Sequence, residues 1–382
     1  MTSAWTAEHI ASISGQPLPQ APVITAAEAA PLLPSLDLWD MWPVASADGR
    51  PAAIAGGELW MALSAPRRAD PGERHFDARI RLLFRIDGGW RDLGNALPDD
   101  FGPGNREWAG SALYDPGAGA VTLFYTAAGI AGAGRRGYQQ RLFQTRARLD
   151  VADGAPRLGG WTAPVESVAS DDDVYVRAAA ADGEPGKIKA FRDPAHFRDP
   201  ADGARYLLFA ASLKRSSSAF NGAIGLAVAT DGGLAGWRLL PPLLHADAVN
   251  NELERPHAIV HHGRYYLFWS TQRSVFSDDG PQGPTGLYGM VAASFSGPYR
   301  PLNGSGLVFA NPASEPAQAY SWWVTADLKV YGFVDLWGLR GRTTADDPAL
   351  LRRQFGGTPA PVLRLALDGD SAVLCDSVAA SR

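Results

Sequence analysis

Three carboxylates in this 382-residue chain sit where chemistry explains a charge better than solvation does. Asp40 lies between Trp39 and Trp42 in LWDMWPV, Asp193 follows Arg192 in FRDPAHF, and Glu254 comes two residues after Glu252 in NNELERPH. A charge in an otherwise apolar stretch is costly unless it is paired or put to use. Cleavage of a glycosidic bond needs two carboxyl groups, one as nucleophile or base and one as acid. A third can hold sugar hydroxyls in the oxocarbenium-like transition state. Trp39 and Trp42 offer an apolar wall and a stacking face. The Arg192 cation is expected to keep Asp193 ionised. Glu252 and Glu254, at i and i+2, would share one face of a strand. Two close carboxylates raise one another's pKa, as a general acid needs near neutral pH.

The elements that must position these groups are strands. Five aromatic–aliphatic runs recur: ELWMALSA from Glu58, VTLFYTAA from Val121, RYLLFAAS from Arg205, RYYLFWST from Arg264 and LKVYGFVD from Leu328. Their spacing is about 60 residues with one longer interval, which fits one four-stranded propeller blade with its loops. Turn signals such as AIAGGE, DPGAGA, DPADGA and HHGR precede most of them, so each reads as the second strand of a hairpin. The strand before it would line a central channel. Those upstream segments are LWDMWPV, NREWAGSA, FRDPAHF, NNELERPH and QAYSWW. The pattern predicts an all-β, five-bladed β-propeller, with residues 1–30 as a peripheral arm and 31–382 as one catalytic domain. The tetrapeptide FRDP occurs twice. Asp193 falls at channel-strand distance from its run, whereas Asp199 leads straight into a turn, so the first reads as chemistry and the second as architecture.

Composition agrees. Gly at 42 and Pro at 29 suit short strands joined by turns. Twelve Trp suit a protein that stacks flat ligands. A net charge of −5 gives no basic surface for nucleic acid. A single cysteine, Cys375, excludes an intrachain disulfide and argues against a thiolate metal cage. The N-terminal MTSAWTAEHI lacks the basic and apolar regions of a signal peptide, and no apolar run is long enough for a membrane span. A cytoplasmic protein, or one secreted by a non-classical route, is expected.

The five segments resemble, in order, the motifs of glycoside hydrolase family 68, the levansucrase, inulosucrase and β-fructofuranosidase family. LWDMWPV looks like its nucleophile motif, REWAGSA its Glu-Trp-Ser-Gly-Ser segment, FRDP its Arg-Asp-Pro motif, ELERPH its acid motif and AYSWW its late Tyr-Ser segment. The resemblance implies a deep axial pocket and a retaining double displacement on sucrose, without a cofactor. By it, Asp40 is the nucleophile, Glu254 the acid and then the base, and Asp193 the transition-state stabiliser. Trp39, Trp108, Arg192 and Glu252 shape the sucrose pocket, and Tyr320 bonds near the catalytic carboxylates. Partners would be sucrose and sugar acceptors.

Departures from the family pattern are informative. Ala109 stands where the family has a Ser bonded to the nucleophile, so Asp40 loses a hydrogen bond unless water or Ser111 supplies it. Asn251 stands where Gram-positive relatives place a calcium ligand, so no metal is expected and the motif looks Gram-negative. Gln272 occupies the acceptor-side position that the family fills with Arg or His, which favours hydrolysis and short transfer over levan synthesis. His257, His261 and His262 do not have a helical metal spacing; His257 could instead border the site. The glycine-rich GIAGAGRRG from Gly129 reads as a loop, not a phosphate cradle. An inverting five-bladed glycosidase and a silent sugar-binding propeller remain competing readings.

Overall fold

The computed structural model describes residues 2–14, 18–134, 137–180, 187–231 and 234–375. Almost all regular structure is strand, arranged in successive antiparallel meanders. The first comprises Leu36–Ala45, Gly57–Pro66, Arg79–Ile86 and Gly89–Asn95. The second comprises Arg106–Asp115, Ala120–Ala128, Gln140–Ala152 and Ala155–Gly159. The third runs Phe191–Arg198, Arg205–Ser212, Gly222–Ala229 and Trp237–His245. The fourth begins Glu254–His261, Arg264–Thr271 and Gly286–Ala292, and the last begins Ala319–Val324 and Lys329–Leu336.

Each aromatic–aliphatic run forms the second strand of its meander, where the turn signals place it. HHGR is a tight case, in which His262 and Gly263 both have positive φ, 48° and 73°, as a two-residue hairpin demands. By hydrogen bonding, the described strands form four sheets, not five separate blades. The first and second meanders are fused because their opening strands pair in parallel, Val44 with Ala112 and Ala45 with Leu113. The opening strand of the first meander also packs on the last meander, which brings the two ends of the chain of sheets together. Trp60 against Tyr331, at 4.2 Å between centroids, is part of that seam.

The opening strands share an irregularity. Their ladders slip at Trp39/Trp42, Trp108/Gly110, Arg192/Ala195, Glu254/His257 and Tyr320/Trp323. Four of these bulges contain a non-glycine residue of positive φ: Asp40 at 44°, Asp193 at 60°, Arg255 at 49° and Ser321 at 60°. Such backbone costs about 1–3 kcal/mol per residue and collects at functional sites. A bulge re-aims a side chain that a regular strand would point along the sheet normal. It also explains Pro194 and Pro256 inside buried strands, because a bulge has no ladder bond for the missing N–H. In the opening strand of the second meander the solution differs: a Cβ at Gly110 would lie 1.9 Å from the Phe124 carbonyl oxygen, so only glycine fits.

Within the first 30 residues, expected as a peripheral arm, the described part makes specific contacts with the body. Ser3–Ala4 pairs in parallel with the last strand of the third meander. Trp5 is 1% exposed. Its indole packs on Trp269, Phe276 and Tyr288 and donates to the Ser305 carbonyl at 2.9 Å. Burying an indole this completely outweighs the order it imposes on a short Ala- and Pro-rich segment, a gain that local patterning does not reveal. Among the described residues no helix is long and apolar enough to cross a membrane.

Candidate active site

The bulges open onto one cavity of about 500 Å³. Asp40, Asp193 and Glu254 line it, as do Trp39, Trp108, Arg192, Glu252, Gln272 and Tyr320. The sequence therefore names residues that the fold brings together from the five upstream segments and, for Gln272, from just past the end of the strand Arg264–Thr271. It misses others on the same wall: Arg74, His75, Arg255, Ser321 and Asp335. Arg255 and Ser321 could have been found by asking which residue in each opening segment matches Asp40 and Asp193. Arg74 and His75 come from a short 3-10 helix, Pro71–Phe76, that no repeat marks.

Charge in this cavity is unbalanced. Five acids, Asp40, Asp193, Glu252, Glu254 and Asp335, face three arginines, Arg74, Arg192 and Arg255. Burial raises the Asp40 carboxyl from its ordinary value, opposed by Arg255 and by a hydrogen bond from Ser321. Burial pushes Asp193 up to about 7 despite Arg192. The expectation that Arg192 simply keeps Asp193 ionised is thus corrected: desolvation in a closed site exceeds the attraction of a cation shared among three acids. Burial, then the charge of Glu254, raises Glu252. Asp335 is raised to about 6 by burial.

Arginines knit the acids together. Arg192 Nη2 donates to Glu254 Oε1 at 2.7 Å and lies 3.6 Å from Glu252 Oε1. The Tyr320 hydroxyl donates to the other Glu254 oxygen. Arg255 Nη1 donates to the Ser321 carbonyl and hydroxyl, both at 3.0 Å, and its Nη2 to the Met41 carbonyl at 2.7 Å. The Ser321 hydroxyl in turn bonds Asp40. This answers the question that Ala109 poses. Ser111 does not compensate, because its hydroxyl accepts from the His196 N–H at 2.9 Å and it lines a different cavity. The hydrogen bond reaches Asp40 from the last meander. Asp193 is set by Thr126, whose hydroxyl accepts its N–H at 2.9 Å and donates to the Ala109 carbonyl at 3.1 Å.

Glu252 and Glu254 both face the cavity, but not as i and i+2 on a strand. The strand begins at Glu254, and Glu252 is in the preceding loop, where its N–H donates to Asn250 Oδ1 at 2.8 Å. The apolar wall is also wider than expected. His75 stands edge-on to both Trp39 and Trp108, at 5.9 and 6.4 Å. Burial and the nearby Arg74, Arg106 and Arg192 hold its imidazole neutral. The indole N–H of Trp39 and Nη1 of Arg192 are buried without a protein partner. Unpaired buried donors are rare, and these two are available to a hydroxyl-rich ligand.

The remaining residues singled out by sequence lie elsewhere. Trp42 is fully buried beneath Arg255. Asp199 accepts from the Tyr265 hydroxyl at 2.6 Å and the Ala201 N–H at 2.9 Å, holding the hairpin turn. His257 engages both ring nitrogens, with the Arg255 carbonyl and the Val324 N–H, and lines the second cavity rather than bordering this one. Among the described residues no three His, Cys, Asp or Glu gather as a metal site. Asn251 Oδ1 accepts from Lys189 Nζ at 2.9 Å. Arg135 and Arg136 of the glycine-rich segment lie outside the described residues.

Carboxylates from several strands, meeting arginines and indoles in one cavity of an all-β fold, are the equipment that carbohydrate chemistry needs. A family model described as Levansucrase/Invertase, glycoside hydrolase family 68, matches residues 1–219 and 214–379. The chain belongs to this family, a family of glycoside hydrolases and fructosyltransferases. It is 30% identical to the levansucrase of Erwinia amylovora over 380 residues, covering 89% of this chain and 86% of that protein. It is 32% identical to the levansucrase of Zymomonas mobilis over 359 residues, covering 87% and 80%. Among solved structures, the inulosucrase from Halalkalicoccus jeotgali bound to kestose superposes with a TM-score of 0.89 at 38% identity, covering 98% of this chain and 95% of that one.

Proposed function

We propose that this protein cleaves sucrose through a covalent fructosyl-enzyme, releases glucose, and passes the fructosyl group to water or to a sugar acceptor. The observation that carries this reading is the meeting of Asp40, Asp193 and Glu254 in one cavity, each beside an arginine, in a member of this family. Asp40 attacks the fructosyl anomeric carbon while Glu254 protonates the glucosyl oxygen, so the carbon–oxygen bond breaks and glucose leaves with the proton. Glu254, now a carboxylate, takes a proton from the acceptor hydroxyl, which attacks the anomeric carbon and frees Asp40. Arg255, Ser321 and Arg74 oppose the burial that would protonate the nucleophile. Asp193 holds fructosyl hydroxyls, and the free indole N–H of Trp39 adds a donor. Glu252 and Arg192 grip the sugar and orient the acid.

At the acceptor end the cavity is lined by Gln272 and Ser274, both without charge. This supports water and short acceptors over a long growing chain, and so a product mixture of fructose and short fructooligosaccharides. Levan synthesis is the alternative. Chromatography of the products at high sucrose tests both levels. Glucose must appear in excess of free fructose; if no glucose appears, the sucrose reading fails. Levan as the main product would overturn only the chain-length part, and Gln272→His should lengthen the products.

A further inference from the structure

Lys189 stands outside the cavity and is only half-buried, yet its ammonium meets three oxygens at once. Nζ lies 2.5 Å from the Ala219 carbonyl oxygen, 2.7 Å from Asn221 Oδ1 and 2.9 Å from Asn251 Oδ1. Three donors thus meet three oxygens, which saturates a lysine. All three acceptors are neutral, so the group is not held by an ion pair. Burial lowers its pKa, and the nearby charge of Glu252 acts the other way.

The cage spans the parts of the chain that carry the acid apparatus. Lys189 is three residues before Arg192, and Asn251 immediately precedes Glu252. Asn251 is fixed further by its N–H to the Val275 carbonyl at 2.9 Å and its carboxamide to the Ile188 carbonyl at 3.3 Å. Ile188, Val275 and Glu252 all line the cavity. Asn221 is anchored through its carboxamide to the Leu213 carbonyl at 2.7 Å. Arg192 then closes the loop by reaching Glu252 and Glu254.

We propose that Lys189 is a positioning residue, a tethered cation whose ammonium locks the third opening strand to the loop bearing Glu252 and so sets the Arg192–Glu252–Glu254 geometry. The role in catalysis rests on the sucrose reading; the cage itself does not. In Lys189→Ala the missing atoms have the size of n-propylammonium, which supplies the test. With sucrose, Lys189→Ala should lose about tenfold in kcat/KM, mainly through KM, because the misplaced groups grip the sugar. Propylammonium chloride should recover most of the loss, and tetramethylammonium chloride, too large for the cage, should not. Propylammonium should also raise the Tm of Lys189→Ala and leave that of the native protein unchanged, a readout that needs no turnover. Native-like kinetics in Lys189→Ala, or a loss without response to propylammonium in either assay, overturns the proposal. If Lys189→Ala does not fold, Asn221→Ala removes one acceptor and keeps the lysine; a KM raised about threefold is expected, and an unchanged KM overturns it. Absence of glucose release by the native protein would instead defeat the sucrose reading, with the Tm response still deciding the cage.

Discussion

One cavity at the channel, of about 500 Å³, is lined by Trp39, Trp108, Asp193, Glu254 and Tyr320; a second, of about 920 Å³, is lined by Pro43, Ser111, His196, His257 and Trp323. Moving three or four residues along each opening strand therefore passes from one to the other. Arg255 sits between them, its guanidinium 5.8 Å from the Trp42 ring and 5.1 Å from that of Trp323. Size would favour the second cavity. Chemistry favours the first, where strained backbone aims Asp40 and Asp193 inward and acids outnumber cations. In the second, His257 and Asp199 spend their polar atoms on the fold. A site is marked by several polar groups held ready at a cost; the larger void has one buried polar atom without a protein partner, His196 Nε2, and Asp199 is the one buried acid on its described wall.

The sharpest way to break this contrast is to remove one aspartate from each side. Asp40→Asn should lose at least about 10⁴-fold in kcat while folding normally, since an amide cannot take up the fructosyl group. Asp199→Ala should keep kcat within about twofold and lower the Tm, because it deletes two hydrogen bonds in a turn. Equal loss of turnover in both, in folded protein, would erase the distinction between the two copies of FRDP.

Asp193 carries a cost that its stability should reveal. Its carboxyl rises from 3.8 to about 7 on folding. The native state therefore holds a proton that the unfolded chain releases between about pH 4 and 7, and stability falls as pH rises through that window. Asp193→Asn should cut kcat about 10²–10³-fold, yet unfold at higher urea than the parent at pH 8. The gain, about 2 kcal/mol after the lost contacts are allowed for, should vanish at pH 4. A variant less stable than the parent at pH 8 would contradict the burial argument.

Histidines offer a matched pair of smaller effect. His75→Ala removes a neutral imidazole from between two indoles in the first cavity, and should raise KM for sucrose about tenfold with kcat nearly unchanged. His196→Ala, whose ring stacks on Phe124 beside the second cavity, should alter Tm and not KM. A KM effect from His196 would mean that the second cavity communicates with substrate.

Much of the first cavity was legible because its residues are unusual by type: a carboxylate or arginine inside an aromatic strand is expensive, and the expense repeats. The fold was legible through the five hairpin runs. What stayed hidden was geometry without a compositional mark. The bulges make Asp40, Asp193, Arg255 and Ser321 equivalent, although the four residues share no chemistry. Trp5 looked peripheral because its partners, Trp269, Phe276 and Tyr288, are more than 260 residues away in sequence. Arg74 and His75 lie on a turn of 3-10 helix outside the repeat. The state of Asp193 depends on burial against a shared cation, which only the closed cavity sets.

Ser321 gives the finest test of the difference between the cavities. Its hydroxyl bonds Asp40 and favours the ionised nucleophile, in the place left by Ala109. On the proposed mechanism Asp40 must be a carboxylate to attack, so activity should be lost at low pH as it takes up a proton. Ser321→Ala removes the donor and leaves burial less opposed, which raises the Asp40 pKa. The acid limb of kcat/KM should therefore move to higher pH. A double variant, Ala109→Ser with Ser321→Ala, should move the acid limb back toward lower pH if a hydroxyl on the second opening strand reaches the same carboxylate. An acid limb unmoved by Ser321→Ala would show that Arg255 alone sets the nucleophile, and that the strained backbone at Ser321 serves the guanidinium and not the carboxylate.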